Sequence, residues 1–285
     1  MKAGVVVVVV AGAWLAPGLA ACAPPELCRP GVDPIPQPTA STAANGLFHA
    51  AHAHNDYEHE RPLDDALAAG FASVEVDVWF RDGGVQVSHD AFGSKGTLDA
   101  LYLQPLEERL AKQRSVHGDG AVFTLWLDLK DGTAELRSAL VDALSAREFL
   151  VRYDAAGEAD DGAVAVILTG DDASKTAMVN DAALPRPFAR DSNQLALADR
   201  DDDDVVAVAL NFGGYLGSWD GTGEAPAGMA RQCDCVVDRA HALGRTVRFF
   251  GGPDTAASWD FQLDHGVDFV NADDLAGLAA LLADR

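Results

Sequence analysis

The chain has 285 residues, 48% of them hydrophobic, 7% aromatic and 23% charged, with a mean hydropathy near zero. This excludes a disordered chain, a collagen and a polytopic membrane protein, and leaves room for one large α/β barrel or two small domains. Lys and Arg number 21 against 44 Asp and Glu, a net charge of −23, which repels nucleic acid and anionic headgroups over the broad faces. A phosphate-bearing substrate would need a bound cation or a local basic group.

Residues 1–21 read MKAGVVVVVVAGAWLAPGLAA: Lys2, an apolar run through Leu15, then Pro17 and small residues. The run is shorter than the ~20 residues of a spanning helix and reads as an export signal. It ends at Leu19-Ala20-Ala21-Cys22, which resembles a bacterial lipobox. That resemblance implies an exported envelope lipoprotein, held to the membrane by lipid on Cys22; an ordinary signal peptide would give a secreted protein. Residues 22–46, rich in Pro, Ala, Ser and Thr, read as a flexible tether. Outside the cytoplasm, Cys28 can form a disulfide with Cys233 or Cys235, leaving one thiol over. Zinc binding by Cys233, Cys235 and His241 is the less favoured use of these cysteines.

From residue 47 onward, strand and helix patterns alternate. Leu47–Ala51 is the first apolar run, followed by a helical segment at Pro62–Gly70. Ala72–Val78 reads as a strand, extended across an Asp82-Gly83 turn by Val85–Ser88. Further strands are expected at Val122–Leu129, Ala163–Thr169, Arg186–Ala189, Val205–Leu210, Thr246–Phe250 and Val267–Asn271. Helices are expected at Leu106–Gln113, Ala134–Ala146, Ala173–Asn180, Met229–Leu243, Thr255–Leu263 and Leu275–Ala283. Continuous apolar strands separated by helices indicate a parallel sheet. The eight core strands point to a (β/α)8 TIM-type barrel forming one domain over 47–285, with a doubly wound sheet as the alternative.

A barrel places its chemistry where the strands end. Polar residues cluster there: His52, His54 and Asn55 after strand one, Glu75 and Asp77 in strand two, His89 after its extension, and Asp128 and Lys130 after strand three. Glu75 and Asp77 share a strand face, as do Asp128 and Lys130. Three carboxylates at an open mouth suit a hard cation, Mg²⁺ or Ca²⁺. The histidines titrate near neutral pH and would act as general acid and base. Lys130, facing the same cavity, would hold a phosphate oxygen or balance the carboxylates. The run Asp201–Asp204 reads as a solvated loop, and His49, His59, His117, His241 and His265 as structural or surface residues.

The string His52-Ala-His-Asn-Asp-Tyr-Glu-His-Glu-Arg-Pro-Leu, followed by Ser73-Val-Glu-Val-Asp-Val, Asp82-Gly83 and Val87-Ser-His-Asp90, resembles the glycerophosphodiester phosphodiesterase superfamily. That superfamily shares the barrel of phosphatidylinositol-specific phospholipase C. The His-x-His-Asn-Asp-Tyr opening is most similar to the branch holding the "altered inheritance of mitochondria" protein and its bacterial lipoprotein relatives. The resemblance covers roughly 48–283. It implies a phosphoric diester hydrolase acting on glycerophosphodiesters or related (lyso)phospholipid or envelope phosphodiesters. Glu75, Asp77 and Asp128 would be its metal ligands, His89 one catalytic histidine, and His52 or His54 the other, with His52 preferred.

The family's usual His-Arg-Gly opening is absent, and Asp128 stands where Glu is common. Arg248, at a strand end, is offered as a replacement for the missing phosphate-binding charge, with Asn55 and Lys130 as further substrate contacts. Two alternatives use the same residues differently. One is a zinc hydrolase of the amidohydrolase or polymerase-and-histidinol-phosphatase type built on His52-x-His54. The other is a lipoprotein that keeps the fold and only binds. Beyond a membrane anchor at Cys22 and a small-molecule or lipid substrate, no protein partner is implied.

Overall fold

The computed structural model describes residues 47–194 and 204–285. The export signal, Cys22 and the tether lie outside the described residues, as do Asp201, Asp202 and Asp203 of the acidic run. In chain order the elements are β1 (Phe48–Ala53), α1 (Asp64–Ala68), β2 (Phe71–Arg81), β3 (Gly84–Val87), β4 (Gly96–Thr97), α2 (Gln104–Leu110), β5 (Phe123–Leu129) and α3 (Ala134–Ser145). They continue as β6 (Val164–Gly170), α4 (Asp172–Asp181), β7 (Ala189–Ser192), β8 (Val205–Asn211), α5 (Phe212–Tyr215), α6 (Met229–His241), β9 (Thr246–Phe250), α7 (Ala256–Asp264), β10 (Phe269–Ala272) and α8 (Leu275–Ala283).

Eight parallel strands form a closed barrel in the order β1, β10, β9, β8, β7, β6, β5, β2, with β1 pairing back onto β2. The expected single-domain (β/α)8 barrel is the fold. β2 runs on past the barrel, turns at Asp82 and Gly83, both at positive φ, and pairs antiparallel with β3, which pairs with β4. A two-residue Asp-Gly turn matches the twist of such a hairpin.

Strand alternation divides the apolar residues into two populations. Leu125, Leu127 and Leu129 of β5 point outward into the main core shared with the helices. Trp126 points inward and packs with Ile167, Ala207 and Ala209 in a separate interior cluster. The two alanines of β8 leave the volume that the indole and the buried Arg248 fill.

Among the expected boundaries that move, three bear on the site and its surroundings. β1 continues through Ala53, so His52 lies within the strand. The strand expected at Arg186–Ala189 is Ala189–Ser192; Pro187 has no N–H for a ladder, and Arg186 instead bridges to Tyr153. The helix expected at Leu106–Gln113 starts earlier, as a π-helical turn at Asp99–Leu103 leading into α2.

Several strand-end polar residues cap helices. Thr133, Asp171, Asn211, Thr255 and Asp274 each accept from a backbone N–H in the first turn of α3, α4, α5, α7 and α8. Of the cysteines, Cys233 is a buried free thiol and Cys235 is disulfide-bonded, which removes a zinc site built on both. Cys28 lies outside the described residues. Among the described residues, no helix is long and apolar enough to cross a membrane.

Candidate active site

The β2–β5 register pairs Glu75 with Trp126 and Asp77 with Asp128. Asp77 and Asp128 are therefore neighbours at the mouth, with Glu75 one layer deeper. The β1–β2 register pairs His52 with Ser73, so His54 comes level with Glu75. Its Nε2 lies 3.7 Å from Glu75 Oε2, and its Nδ1 lies 2.8 Å from Asp273 Oδ1 on the loop after β10. His89 follows β3, where the Ser88 N–H donates to the Asp77 carbonyl. His89 Nδ1 stands 3.3 Å from Asp77 Oδ2 and 3.4 Å from the Tyr57 hydroxyl. Tyr57 in turn donates to Asn55 Oδ1 at 3.1 Å. Asn55 holds a left-handed φ of 46°, which Asn tolerates better than most residues, and so turns the chain from β1 into the mouth.

Lys130 Nζ lies 2.6 Å from Asp128 Oδ2 and 3.1 Å from Asp77 Oδ2. Burial lowers the pKa of its ammonium, but the two carboxylates outweigh that and raise it. Burial, and then the like charge of Asp128 against the attraction of Lys130, leaves Asp77 raised to about 6. Burial pushes Glu75 up as well, yet the guanidinium of Arg248 and the neighbouring His52 hold it well below the usual carboxylate range.

Arg248 and His52 lie beneath this layer. Arg248, offered from the sequence as a phosphate contact, is 2% exposed, and its guanidinium is turned to groups of the barrel interior. Its Nη1 donates to His52 Nε2 at 2.8 Å, its Nη2 donates to Glu75 Oε1 at 3.0 Å, and its guanidinium carbon sits 4.5 Å from the Trp126 ring centroid. His52 is fully buried, with its pKa lowered to about 4, chiefly by desolvation. Because Nε2 faces a guanidinium, His52 and His54 do not form a His-x-His chelate.

Among the described residues, no three His, Cys, Asp or Glu side chains already close around one point. Two buried carboxylate oxygens, Glu75 Oε2 and Asp77 Oδ1, have no hydrogen-bond partner. Orphaned anionic oxygens in a low dielectric call for positive charge. With Asp128 beside them they fit a hard divalent cation, provided Lys130 yields its hold on Asp77 and Asp128. A cavity of about 210 Å³ opens beside His54, lined by Gly251, Gly252, Pro253, Asp254, Asn271 and Asp273 among others. It shares Gly251, Gly252 and Pro253 with a shallower one of about 750 Å³ against Phe212 and Trp219.

Of the residues singled out in the sequence, His54, Asn55, Glu75, Asp77, His89, Asp128 and Lys130 meet at the mouth, while His52 and Arg248 lie beneath it. Tyr57, Trp126 and the buried Lys175–Asp191 pair at 2.5 Å went unread. Asp191 lies beyond the strand expected at Arg186–Ala189. Only its place in a strand that starts three residues later signals that Asp191 points inward.

Residues 43–184 match the family model of the AIM6-like phosphodiesterase domain. Over these residues, just under half of its length, the chain is similar to AIM6-like phosphodiesterase domains. Altered inheritance of mitochondria protein 6 of Lachancea thermotolerans is 28% identical over 272 residues, covering 79% of this chain and 63% of that protein. The Eremothecium gossypii protein of the same name is 28% identical over 286 residues, covering 88% and 73%. The chain thus spans under two thirds of the Lachancea relative. Among solved structures, a glycerophosphodiester phosphodiesterase from Parabacteroides distasonis aligns with a TM-score of 0.52 at 16% identity, covering 83% of this chain and 97% of that one. Another from Agrobacterium tumefaciens aligns with a TM-score of 0.51 at 15% identity, covering 83% and 100%. At these identities the match establishes the barrel. The AIM6-like stretch runs from before β1 through α4 and so includes the mouth residues from His54 to Lys130; Arg248 and Asp273 lie beyond it.

Proposed function

We propose that this AIM6-like domain is a metal-dependent phosphodiester hydrolase using His54 and His89 as its acid–base pair. The observation that carries the reading is the pair of unpartnered buried oxygens, Glu75 Oε2 and Asp77 Oδ1, between two histidines at the barrel mouth. Glu75, Asp77 and Asp128 would hold Mg²⁺ or Ca²⁺, which when bound supplies positive charge against the phosphoryl oxygens.

The residues divide the rest of the work. Asp273 accepts from His54 Nδ1, leaving Nε2 to take or give a proton beside the cavity. Asp77 and Tyr57 engage His89 Nδ1, leaving its Nε2 toward solvent on the other side of the carboxylates. One histidine removes the proton of the attacking hydroxyl or water, and the other protonates the leaving alcohol. Lys130 would contact a phosphate oxygen once it releases a carboxylate, and Asn55 would contribute at the same mouth. The proposed substrates are glycerophosphodiesters or related (lyso)phospholipid or envelope phosphodiesters. One alcohol would lie along Gly251, Gly252 and Pro253 toward Trp219. The lining residues named in both cavities include no Lys or Arg, which favours a neutral or cationic alcohol over one bearing a second phosphate. Export and a membrane anchor at Cys22 are proposed from the sequence alone.

The test is hydrolysis of bis(p-nitrophenyl) phosphate and glycerophosphocholine in EDTA, Mg²⁺, Ca²⁺ or Zn²⁺, repeated with Glu75→Ala and His89→Ala. Activity restored by Mg²⁺ or Ca²⁺ and lost in both variants is expected. A folded protein that binds a cation but turns over neither substrate would move the weight to a binding-only lipoprotein.

A further inference from the structure

We infer that His52 and Arg248 form a clamp that sets the rotamer of Glu75, and that His52 takes no part in proton transfer. Both imidazole nitrogens are already engaged. Nδ1 lies 2.7 Å from Ser73 Oγ, and Nε2 lies 2.8 Å from Arg248 Nη1. A guanidinium only donates. Nε2 is therefore an acceptor, and the ring proton sits on Nδ1, donated to the Ser73 hydroxyl. A proton shuttle needs a nitrogen that reaches the substrate; neither nitrogen of this buried ring does. His54 sits one layer higher, with its side chain 34% exposed and bordering the cavity.

The clamp acts through Arg248. The planar fork sends one arm to His52 on β1 and the other to Glu75 Oε1 on β2, while its face rests against Trp126 on β5. Four strands, counting β9 beneath Arg248, are thus tied across the barrel interior by one side chain. With Oε1 held from below, Oε2 remains within 3.7 Å of His54 Nε2 and is left without a hydrogen-bond partner. Lysine could not replace this arrangement, since an ammonium offers a point charge rather than two divergent donors in a plane. His52 supplies the neutral acceptor that fixes the fork; an anion there would compete with Glu75 for the guanidinium.

The reading of His52 as a positioning residue deepens the proposed hydrolase function, and its test separates the two. The full-length chain is compared with His52→Gln, His52→Ala and Arg248→Lys. The readouts are Mg²⁺ and Ca²⁺ affinity by calorimetry, turnover of bis(p-nitrophenyl) phosphate, and the ¹⁵N imidazole signals of the wild-type protein. A Gln amide oxygen reproduces the acceptor and moves no proton. His52→Gln is expected to keep cation affinity and kcat within about 5-fold, whereas His52→Ala and Arg248→Lys weaken cation binding by about 10-fold or more, as loss of an orienting partner does. At pH 7 the His52 signals should be those of a neutral ring protonated at Nδ1. A His52→Gln protein that binds cation normally yet loses about 10²-fold or more in kcat would make His52 a proton carrier. An Nε2-protonated or doubly protonated ring at pH 7 would overturn the clamp, whether or not the protein binds cation or turns over substrate. Absence of turnover in the wild type, with that NMR signature in place, would count against the hydrolase alone.

Discussion

The ammonium of Lys130 lies 2.6 Å from Oδ2 of Asp128, two positions earlier on the chain, and it reaches Asp77 as well. In the absence of a divalent ion, Lys130 supplies the positive charge for both carboxylates. It therefore competes with a cation for the oxygens that would bind it. Replacing it should move two quantities in opposite directions. Lys130→Met is expected to tighten Mg²⁺ or Ca²⁺ binding by about 10-fold, through loss of the competing ammonium. Turnover of bis(p-nitrophenyl) phosphate should fall by about 10²-fold through loss of a phosphate contact. Calorimetry and steady-state kinetics on one preparation check both, and a parallel loss of affinity and activity would contradict the competition.

Gly170 ends β6 with φ of 88°, and a Cβ there would lie 2.1 Å from Asp128 Oδ1 and 2.9 Å from the Leu129 backbone. The backbone conformation and the close approach both require glycine. Gly170→Ala is expected to cost about 1–3 kcal/mol in stability and to displace the Asp128 carboxylate, weakening cation affinity. Thermal melts and calorimetry would show both losses; a variant that melts lower but binds cation normally would separate Asp128 from the metal site.

Asp273 accepts from His54 Nδ1 but is 67% exposed at its side chain. Solvent screens such a pair, so Asp273→Asn should lower kcat/KM by only about 10-fold through poorer orientation of the ring. His54→Ala should cost about 10²–10⁴-fold, the range for a lost general acid or base. Equal losses in the two variants would argue that Asp273 does more than orient His54.

Asp56 is buried beneath the turn after β1, accepting from the Leu63 N–H at 2.6 Å and the Tyr102 hydroxyl at 2.8 Å. Burial raises its pKa from 3.8 to about 6, against the pull of those two donors. Between these values the native state holds a proton that the unfolded chain has lost. Stability from this group is complete below 3.8, falls as pH rises through the window, and is lower by about 3 kcal/mol above it. Asp56→Asn is neutral throughout. Its melting temperature relative to wild type should rise between pH 4.5 and 7.5, measured in EDTA. A difference that does not change with pH would show that Asp56 ionises normally.

The barrel was legible because buried parallel strands leave continuous apolar runs such as Val205–Leu210, each separated by a helix pattern and closed by polar residues. Glu75 with Asp77, and Asp128 with Lys130, were legible because strand period two makes each pair share a face whatever the rest of the chain does. Where short strands met special residues, the pattern failed. Pro187 pushed β7 three residues onward, and with it went any sign that Asp191 faces Lys175 inside the barrel. Asn211 and Asp274 are also polar residues at strand ends, and their side chains serve the N-termini of α5 and α8.

Alone, then, the sequence determined which residues could share a strand face and which chemistry the mouth would hold, since both follow from local spacing and residue type. Only the tertiary structure decided depth. His52 and His54 are two residues apart on one face and equivalent by periodicity. Closing the barrel brings Arg248, 196 positions away, onto the first and leaves the second at the cavity. Such a contact depends on which strands meet across the interior and on the space left by Ala207 and Ala209, neither of which a one-dimensional pattern encodes.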